Sequence, residues 1–126
     1  LVMHGSSSVP QDWLAIINQY GGEMPETYGV PLEQIQEGIR HGVRKVNIDT
    51  DLRMASTGAI RRFLAQKPAE FDPRKYLAET ITAMRDICIE RYEAFGTAGN
   101  ADKIKVKSLA AMQVAYDAGE LDQRVN

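Results

Sequence analysis

The sequence predicts an α/β fold in which parallel strands alternate with helices. Apolar stretches at residues 1–4 and 43–48 have the character of buried strands, and helical patterns lie between and after them. Strands that are separated by helices usually pair in parallel. Both stretches are apolar on two faces, and two strands cannot close a sheet, so each needs further neighbours. We therefore expect the last two strands of a β/α barrel, followed by a helical extension.

The first residues, LVMHG, indicate that the chain begins inside a strand, because they contain no capping residue, no turn and no initiator methionine. We interpret the 126 residues as a piece of a longer polypeptide. Any site at the barrel mouth would then be incomplete, and the piece would be inactive by itself.

The composition favours a soluble globular protein. Charged residues make up 25% and apolar residues 44% of the chain, and the formal net charge is −2. This balance argues against a disordered chain and gives no reason to expect nucleic-acid binding, and no apolar run approaches the roughly 18 residues of a membrane span. Cys88 is the one cysteine, so no internal disulfide can form. We expect a cytoplasmic protein without nucleic-acid or membrane partners.

The first two helices are predicted from proline entries and helical spacing. Pro10 opens a helix that runs to about Tyr20, and Pro31 opens a second helix that Gly42 closes. The apolar residues of the first are Trp13, Leu14, Ile16 and Ile17, and those of the second are Leu32, Ile35 and Ile39.

The third and fourth helices follow the second strand. One is predicted over residues 50–67, and a longer one begins with Asp72 as N-cap and Pro73 at the first helical position and ends before Gly96. The apolar residues of this longer helix recur every three or four positions, which predicts a packing face. They are Leu77, Ile81, Met84, Cys88, Tyr92 and Phe95.

The remaining segment is predicted to be a loop and one short helix. Residues 97–107 lack a strong period, and Ser108 caps a last helix that runs to about Ala118. We divide the chain into residues 1–68, the last two β/α units of the barrel, and residues 69–126, a C-terminal helical extension.

Polar side chains end the second strand. Asn47 and Asp49 lie on one face of an extended chain, because side chains alternate between faces. They would point to the barrel axis at the carboxyl ends of the strands, where barrel active sites lie. The alternative is that both residues only form a turn and a cap for the next helix.

The first strand also ends in polar groups. His4 occupies its last position, and Gly5 and three serines follow. Glycine permits close backbone approach to a ligand, and successive N–H groups with hydroxyls suit a phosphate. Glycine–serine loops and structural histidines are common, however, so the argument depends on the coincidence of two polar strand ends.

Two other residues, His41 and Lys45, are candidates for the site. His41 lies at the opposite end of its strand from Asn47, so we assign it a structural role. Lys45 shares the face of Asn47 one layer deeper, where it could form a Schiff base with a carbonyl, but a structural, ion-paired lysine is the favoured interpretation. A catalytic zinc needs about three protein ligands, and this chain offers His4 alone.

With these features in place, the sequence resembles class II, metal-dependent fructose-1,6-bisphosphate aldolases. The segments that carry the resemblance occur in the family's order and spacing and span nearly the whole chain. They are LVMHGSSS, GVRKVNIDTDLRMASTGAIRR, FDPRKYL and AFGTAG. The resemblance implies the C-terminal portion of a (β/α)8 TIM barrel, with its last two strands, and a helical extension.

The resemblance implies a metal and a reaction. His4 matches a ligand of a catalytic zinc whose other ligands lie upstream, and Asn47 matches the residue that holds the enediolate. The implied reaction is reversible aldol cleavage of fructose 1,6-bisphosphate to dihydroxyacetone phosphate and glyceraldehyde 3-phosphate, in glycolysis, gluconeogenesis or the Calvin cycle. A monovalent cation is a further candidate cofactor.

The resemblance also implies how the two substrate phosphates are held. Gly5 and Ser7 match the loop at the dihydroxyacetone-phosphate end, with Asp49 and Thr50 nearby. Arg53 matches an arginine at the distal phosphate.

Arg74 matches a second arginine at the distal phosphate, one that reaches into the neighbouring subunit's site. The implied assembly is a homodimer or homotetramer in which residues 69–126 serve as an interface arm.

Two alternatives remain open at this stage. One is a tagatose-bisphosphate aldolase of the same family, for which Asp49 is a plausible reader of the differing hydroxyl. The other is a non-catalytic helical interaction module in which the polar strand ends are incidental.

Overall fold

The computed structural model describes residues 1–5 and 7–120. The order of its elements follows the predicted order of strand, helix, helix, strand and helical tail. The elements are β1 (Val2–Met3), α1 (Gln11–Gln19), α2 (Leu32–Arg40), β2 (Lys45–Val46), α3 (Thr50–Gln66), α4 (Pro73–Ala94), a 3-10 turn (Ala101–Lys103) and α5 (Leu109–Asp117).

The two strands form a parallel pair, as predicted. Val2 lies opposite Lys45, and Met3 lies opposite Val46. Both strands are shorter than predicted, because in the described chain each has one neighbour and only the paired residues form a ladder. The pairing sets the carboxyl ends of β1 and β2 side by side.

The ends of the helices agree with the caps in the sequence. The Asp72 side chain accepts a hydrogen bond from a first-turn N–H of α4, and Pro73 is the first helical residue. Ser108 caps α5 in the same way. Pro10 and Pro31 occupy the N-cap positions of α1 and α2, so both helices begin one residue later than predicted.

Helices α3 and α4 form an antiparallel hairpin with a core of small side chains. The buried cluster consists of Ala55, Ala59, Ala83 and Ile87, with Trp13 and Leu52 packed against it. Alanine at three of the four positions lets the two helix backbones come close, in keeping with packing of one helix's ridges into the other's grooves.

The predicted packing face of α4 is buried only in part, with three of its six residues half-buried and three exposed. Leu77, Ile81 and Tyr92 on that face are 45%, 68% and 58% exposed. The helix instead buries the adjoining face, which carries Thr80, Ala83, Ile87 and Arg91. Spacing identified the large apolar residues of α4, but the partner helix α3 selects the face whose side chains are small enough for close approach.

Helix α1 packs on α3 at a glycine. A Cβ built at Gly58 would lie 2.6 Å from Cε3 of Trp13, so the indole ring occupies the space that a side chain would need. The guanidinium of Arg62 covers the same ring at 5.6 Å from its centroid. Within the part of the chain that the structure describes, no helix is both long and apolar enough to cross a membrane.

Candidate functional site

The parallel pairing of β1 and β2 brings His4 and Asn47 together. Asn47 Nδ2 lies 3.2 Å from His4 Nδ1, and Lys45 Nζ donates to Asn47 Oδ1. An amide N–H can only donate, so His4 Nδ1 is the acceptor in this contact. The lysine contact fixes the amide in this orientation, because its oxygen faces the ammonium group.

The glycine–serine loop lies against the start of α3. Gly5 has φ of +64°, a left-handed conformation that favours glycine. Ser7 Oγ accepts a hydrogen bond from the Thr50 N–H at 3.4 Å. Thr50 is the first residue of the 17-residue helix α3. The predicted phosphate-binding serine therefore lies at a helix N-terminus, where N–H groups and the helix dipole favour an anion. Ser6 of this loop lies outside the described residues.

Asp49 and Arg53 form an ion pair one turn apart. Arg53 Nε donates to Asp49 Oδ1 at 2.9 Å, and both side chains are mostly exposed. Asp49 occupies the N-cap position of α3, but its side chain makes no capping hydrogen bond. Asp49 thus occupies the N-cap position through its backbone, while its side chain pairs with Arg53.

Arg74 lies at the other end of the α3–α4 hairpin. Helix α3 has 17 residues and so extends for about 25 Å between the strand ends and the turn that precedes Arg74. The Arg74 guanidinium pairs with Asp72 at 2.6 Å and its side chain is 88% exposed. Hydrogen bonds from Arg74 hold the pKa of the Asp72 carboxyl below its usual value. Within one chain, the structure does not bring Arg74 to the strand ends.

His41 lies away from these strand ends, at the C-cap of α2. Its Nε2 contacts Glu37 Oε1 at 2.7 Å, and its side chain is largely exposed. Side-chain hydrogen bonds lower the pKa of Glu37, and the bond from Arg40 has a larger effect than the one from His41.

The structure also shows a buried polar cluster that sequence reasoning missed. Ser8 Oγ donates to Asp51 Oδ2 at 2.7 Å, Arg91 Nε donates to the same oxygen at 3.0 Å, and Arg91 Nη2 donates to Ser8 Oγ at 2.8 Å. Asp51 is completely buried, and Ser8 and Arg91 are nearly so.

Helical spacing gave one signal for this Ser8–Asp51–Arg91 cluster. Asp51 lies four residues before Ala55, and Arg91 four residues after Ile87, so both continue the buried stripes of the hairpin. A charged pair at the ends of two apolar stripes indicates a buried salt bridge only once the two helices are known to pack together.

His4 fits as a single ligand of a metal ion. Its imidazole is exposed and is a common zinc donor. Among residues 1–5 and 7–120, however, no three His, Cys, Asp or Glu side chains are grouped so that they could hold a metal. The described residues therefore supply one donor at the strand ends and no complete metal centre.

The chain is similar to known proteins over its whole length. A family model described as "Fructose-bisphosphate aldolase class-II" matches residues 1–100. The chain is 77% identical over 126 residues to a fructose-bisphosphate aldolase of Pseudomonas aeruginosa, covering all of the chain and 36% of that protein.

Two further relatives carry the same printed name. Identity is 64% over 122 residues to the protein of Nostoc commune, covering 97% of the chain and 34% of that protein. Identity is 59% over 126 residues to the protein of Xanthobacter flavus, covering all of the chain and 36% of that protein. The chain thus spans about a third of the length of the curated relatives it matches.

Proposed function

Because the chain belongs to the class II fructose-bisphosphate aldolase family, we propose that the full-length protein cleaves fructose 1,6-bisphosphate reversibly into dihydroxyacetone phosphate and glyceraldehyde 3-phosphate. The observation that carries the proposal is the meeting of His4 and Asn47 at adjacent strand ends. The name shared by the relatives supports it.

Residues 1–68 form, in this proposal, the last two β/α units of a TIM barrel, and residues 69–126 form a helical extension, of which residues 121–126 lie outside the described residues. The parallel pair of β1 and β2 supports this assignment, since parallel strands joined through helices are the repeating unit of such a barrel. The matched relatives are also about three times as long as this chain, which leaves room for the other strands.

Ser7 is the proposed ligand for the phosphate at the dihydroxyacetone end. Its hydroxyl lies beside the Thr50 N–H at the start of α3, where an anion is favoured. Ser8 is a poorer candidate, because its single O–H already donates to Asp51. Gly5 allows the backbone turn that precedes the serines.

Asn47 is the proposed catalytic residue. Its amide can donate a hydrogen bond to the oxygen that becomes negative as the carbon–carbon bond breaks, and it does so without titrating. A donor of this kind is typically worth about 2.7–4 kcal/mol of transition-state stabilisation. The contact from Lys45 to Asn47 Oδ1 supports the role, because it keeps the N–H side of the amide turned toward His4.

His4 is the residue of this chain that would hold zinc, with the remaining ligands elsewhere in the full-length protein. Zinc, when bound, supplies a Lewis acid that polarises the substrate carbonyl and stabilises negative charge on oxygen. His4 would bind zinc through an unprotonated ring nitrogen, and its imidazole is exposed at the strand ends.

Arg53 and Arg74 are the proposed ligands of the distal phosphate. A guanidinium fork gives two parallel, charge-assisted hydrogen bonds to phosphate. Arg53 is exposed near the strand ends and is oriented by Asp49, whereas Arg74 would act across a subunit interface of a homo-oligomer.

The experiment that tests this proposal compares substrates and metal content. The full-length protein should cleave fructose 1,6-bisphosphate faster than tagatose 1,6-bisphosphate, and purified protein should contain zinc. His4→Ala should remove most of the zinc, whereas the matched variant His41→Ala should retain it, since His41 contacts Glu37 instead. A preference for the tagatose sugar, or equal zinc loss in the two variants, would contradict the proposal.

A further inference from the structure

The Ser8–Asp51–Arg91 cluster joins three separate parts of the chain. Ser8 belongs to the loop after β1, Asp51 to the first turn of α3, and Arg91 to the last turn of α4. The Ser8 hydroxyl uses its proton toward Asp51 and accepts from Arg91. It is therefore held on both sides, and its position depends on the two charged groups.

Two further contacts, from the segment of residues 29–30, hold the same loop. The Val30 N–H donates to the Ser7 carbonyl oxygen at 3.2 Å. A Cβ built at Gly29 would lie 2.3 Å from that oxygen and 2.9 Å from Ser8 Cα, so the Gly29 backbone packs directly on the loop. Residues 7–8 thus contact both the 29–30 segment and the Asp51–Arg91 pair.

We propose that Asp51, Arg91 and Ser8 act as positioning residues that fix the backbone of Ser7, and so hold the phosphate-binding loop in register with the start of α3. This inference rests on the proposed function, because it assumes that Ser7 binds the substrate phosphate. None of the three residues needs to touch substrate. The Ser8 hydroxyl holds the loop, the Asp51 carboxylate holds the hydroxyl, and Arg91 holds both.

The charge of the pair argues for a positioning role rather than a role in stability alone. A buried salt bridge is weak evidence for stability, since apolar residues of similar size often serve as well. Here the pair does something that apolar residues could not do, because both of its members form a hydrogen bond to Ser8. A hydrogen bond to a charged group is also roughly twice as strong as one between neutral groups.

The test uses the full-length protein and three variants. Ser8→Ala removes the link to the loop but leaves the Asp51–Arg91 ion pair, so the hairpin should stay folded. Asp51→Asn keeps the size of the side chain and removes its charge. Ser108→Ala is the matched control, because it removes a serine hydroxyl that caps α5 and belongs to no part of the proposed site.

Two readouts separate this inference from the proposed function. The first is hydrogen–deuterium exchange of the peptide that contains residues 5–9, which requires no substrate. The second is the steady-state kinetics of fructose 1,6-bisphosphate cleavage. We expect faster exchange in this peptide and a KM raised roughly tenfold in Ser8→Ala and Asp51→Asn, with kcat changed much less, and no change of either readout in Ser108→Ala.

Three other outcomes would contradict, respectively, the positioning role, the link to phosphate binding and the proposed function. Exchange at residues 5–9 that matches the wild type in Ser8→Ala would overturn the positioning role, whatever the kinetics. Faster exchange with an unchanged KM would overturn the link between this loop and phosphate binding. Absence of cleavage by the wild-type protein would refute the proposed function, while the exchange measurement would still decide whether the cluster holds the loop.

Discussion

Asn47 forms hydrogen bonds to two other residues at the strand ends, Lys45 and His4. Its carbonyl oxygen accepts from Lys45, and its amide N–H points to His4. An amide held at both ends loses little freedom when a substrate oxygen approaches, which is the condition for strong transition-state stabilisation. We therefore expect the proposed catalytic role of Asn47 to depend on Lys45 as well as on its own side chain.

Replacing Asn47 should affect turnover more than binding. We expect Asn47→Ala to lower kcat by about 10²–10³-fold with a smaller change in KM, since its hydrogen bond strengthens as charge develops. Steady-state kinetics of the full-length protein with fructose 1,6-bisphosphate will measure both constants. Asn18→Ala, which breaks a comparable pair of amide hydrogen bonds to Met24, should change neither constant.

Ser7→Ala should show the opposite pattern, because a phosphate contact is made equally in the bound substrate and in the transition state. We expect a higher KM and a nearly unchanged kcat. A change in KM alone in Asn47→Ala would contradict the catalytic role of Asn47. A change in kcat alone in Ser7→Ala would contradict the phosphate-binding role of Ser7.

At the scale of the element, α3 depends on Gly58 for its contact with α1. Gly58→Ala would place a methyl group against the Trp13 ring, and such overpacking costs about 1–3 kcal/mol. The better helix propensity of alanine offsets about 1 kcal/mol of this cost. We expect the free energy of unfolding to fall by about 1 kcal/mol, as measured by chemical denaturation.

Gly38→Ala in α2 is the matched control for this prediction. A Cβ at Gly38 would lie 3.4 Å from Val43 Cγ2, an ordinary contact, so only the gain in helix propensity applies. Gly38→Ala should therefore leave stability unchanged or raise it. Equal destabilisation by the two substitutions would show that the Trp13 contact is not the cause.

The start of α4 should make stability depend on pH in the acid range. Arg74 side-chain and backbone hydrogen bonds lower the pKa of Asp72 in the folded protein. A group with a lowered folded pKa stabilises the fold above its unfolded pKa, about 3.9 for aspartate, and loses that effect as pH falls through the folded value. Asp72→Asn should lower the melting temperature at neutral pH. The melting temperature of this variant should also fall less than that of the wild type when the pH is lowered below about 4.

The elements differ in how far the sequence predicts them. Helix ends were predicted well, because residues such as Asp72 and Ser108 act on the backbone of their own first turn. The buried face of α4 was not predicted, because it depends on α3. The meeting of His4 and Asn47 was expected from parallel strand ends, whereas the link from Ser8 to Arg91 joins residues 83 positions apart and has no local signal.

At the scale of the whole molecule, Arg74 tests the proposed homo-oligomer. Helix α3, with 17 residues, extends for about 25 Å between the strand ends and the turn before Arg74, which argues against a shared site within one chain. We therefore expect Arg74 to serve the site of a neighbouring subunit. Each of the full-length variants Asn47→Ala and Arg74→Ala should have low activity alone.

Mixing these two variants, with subunit exchange verified, should restore activity. A hybrid dimer would then contain one site with both defects and one site with neither. If Arg74 acts within its own chain, every site keeps one defect and mixing restores nothing. A mixture of Lys67→Ala with Asn47→Ala is the control for subunit exchange. Lys67 lies in the turn between α3 and α4, and its ammonium group contacts the Phe63 ring.

The parallel pairing of β1 with β2 has a consequence for the order of folding. The contact of Asn47 with His4 spans 43 positions of the chain, whereas the α3–α4 hairpin is closed by a short turn. Closing a long loop costs more chain entropy than closing a short one, so local hairpins tend to form before distant pairings. The strand-end site should therefore be among the last parts to assemble, and a folding intermediate with a formed hairpin would have no catalytic geometry.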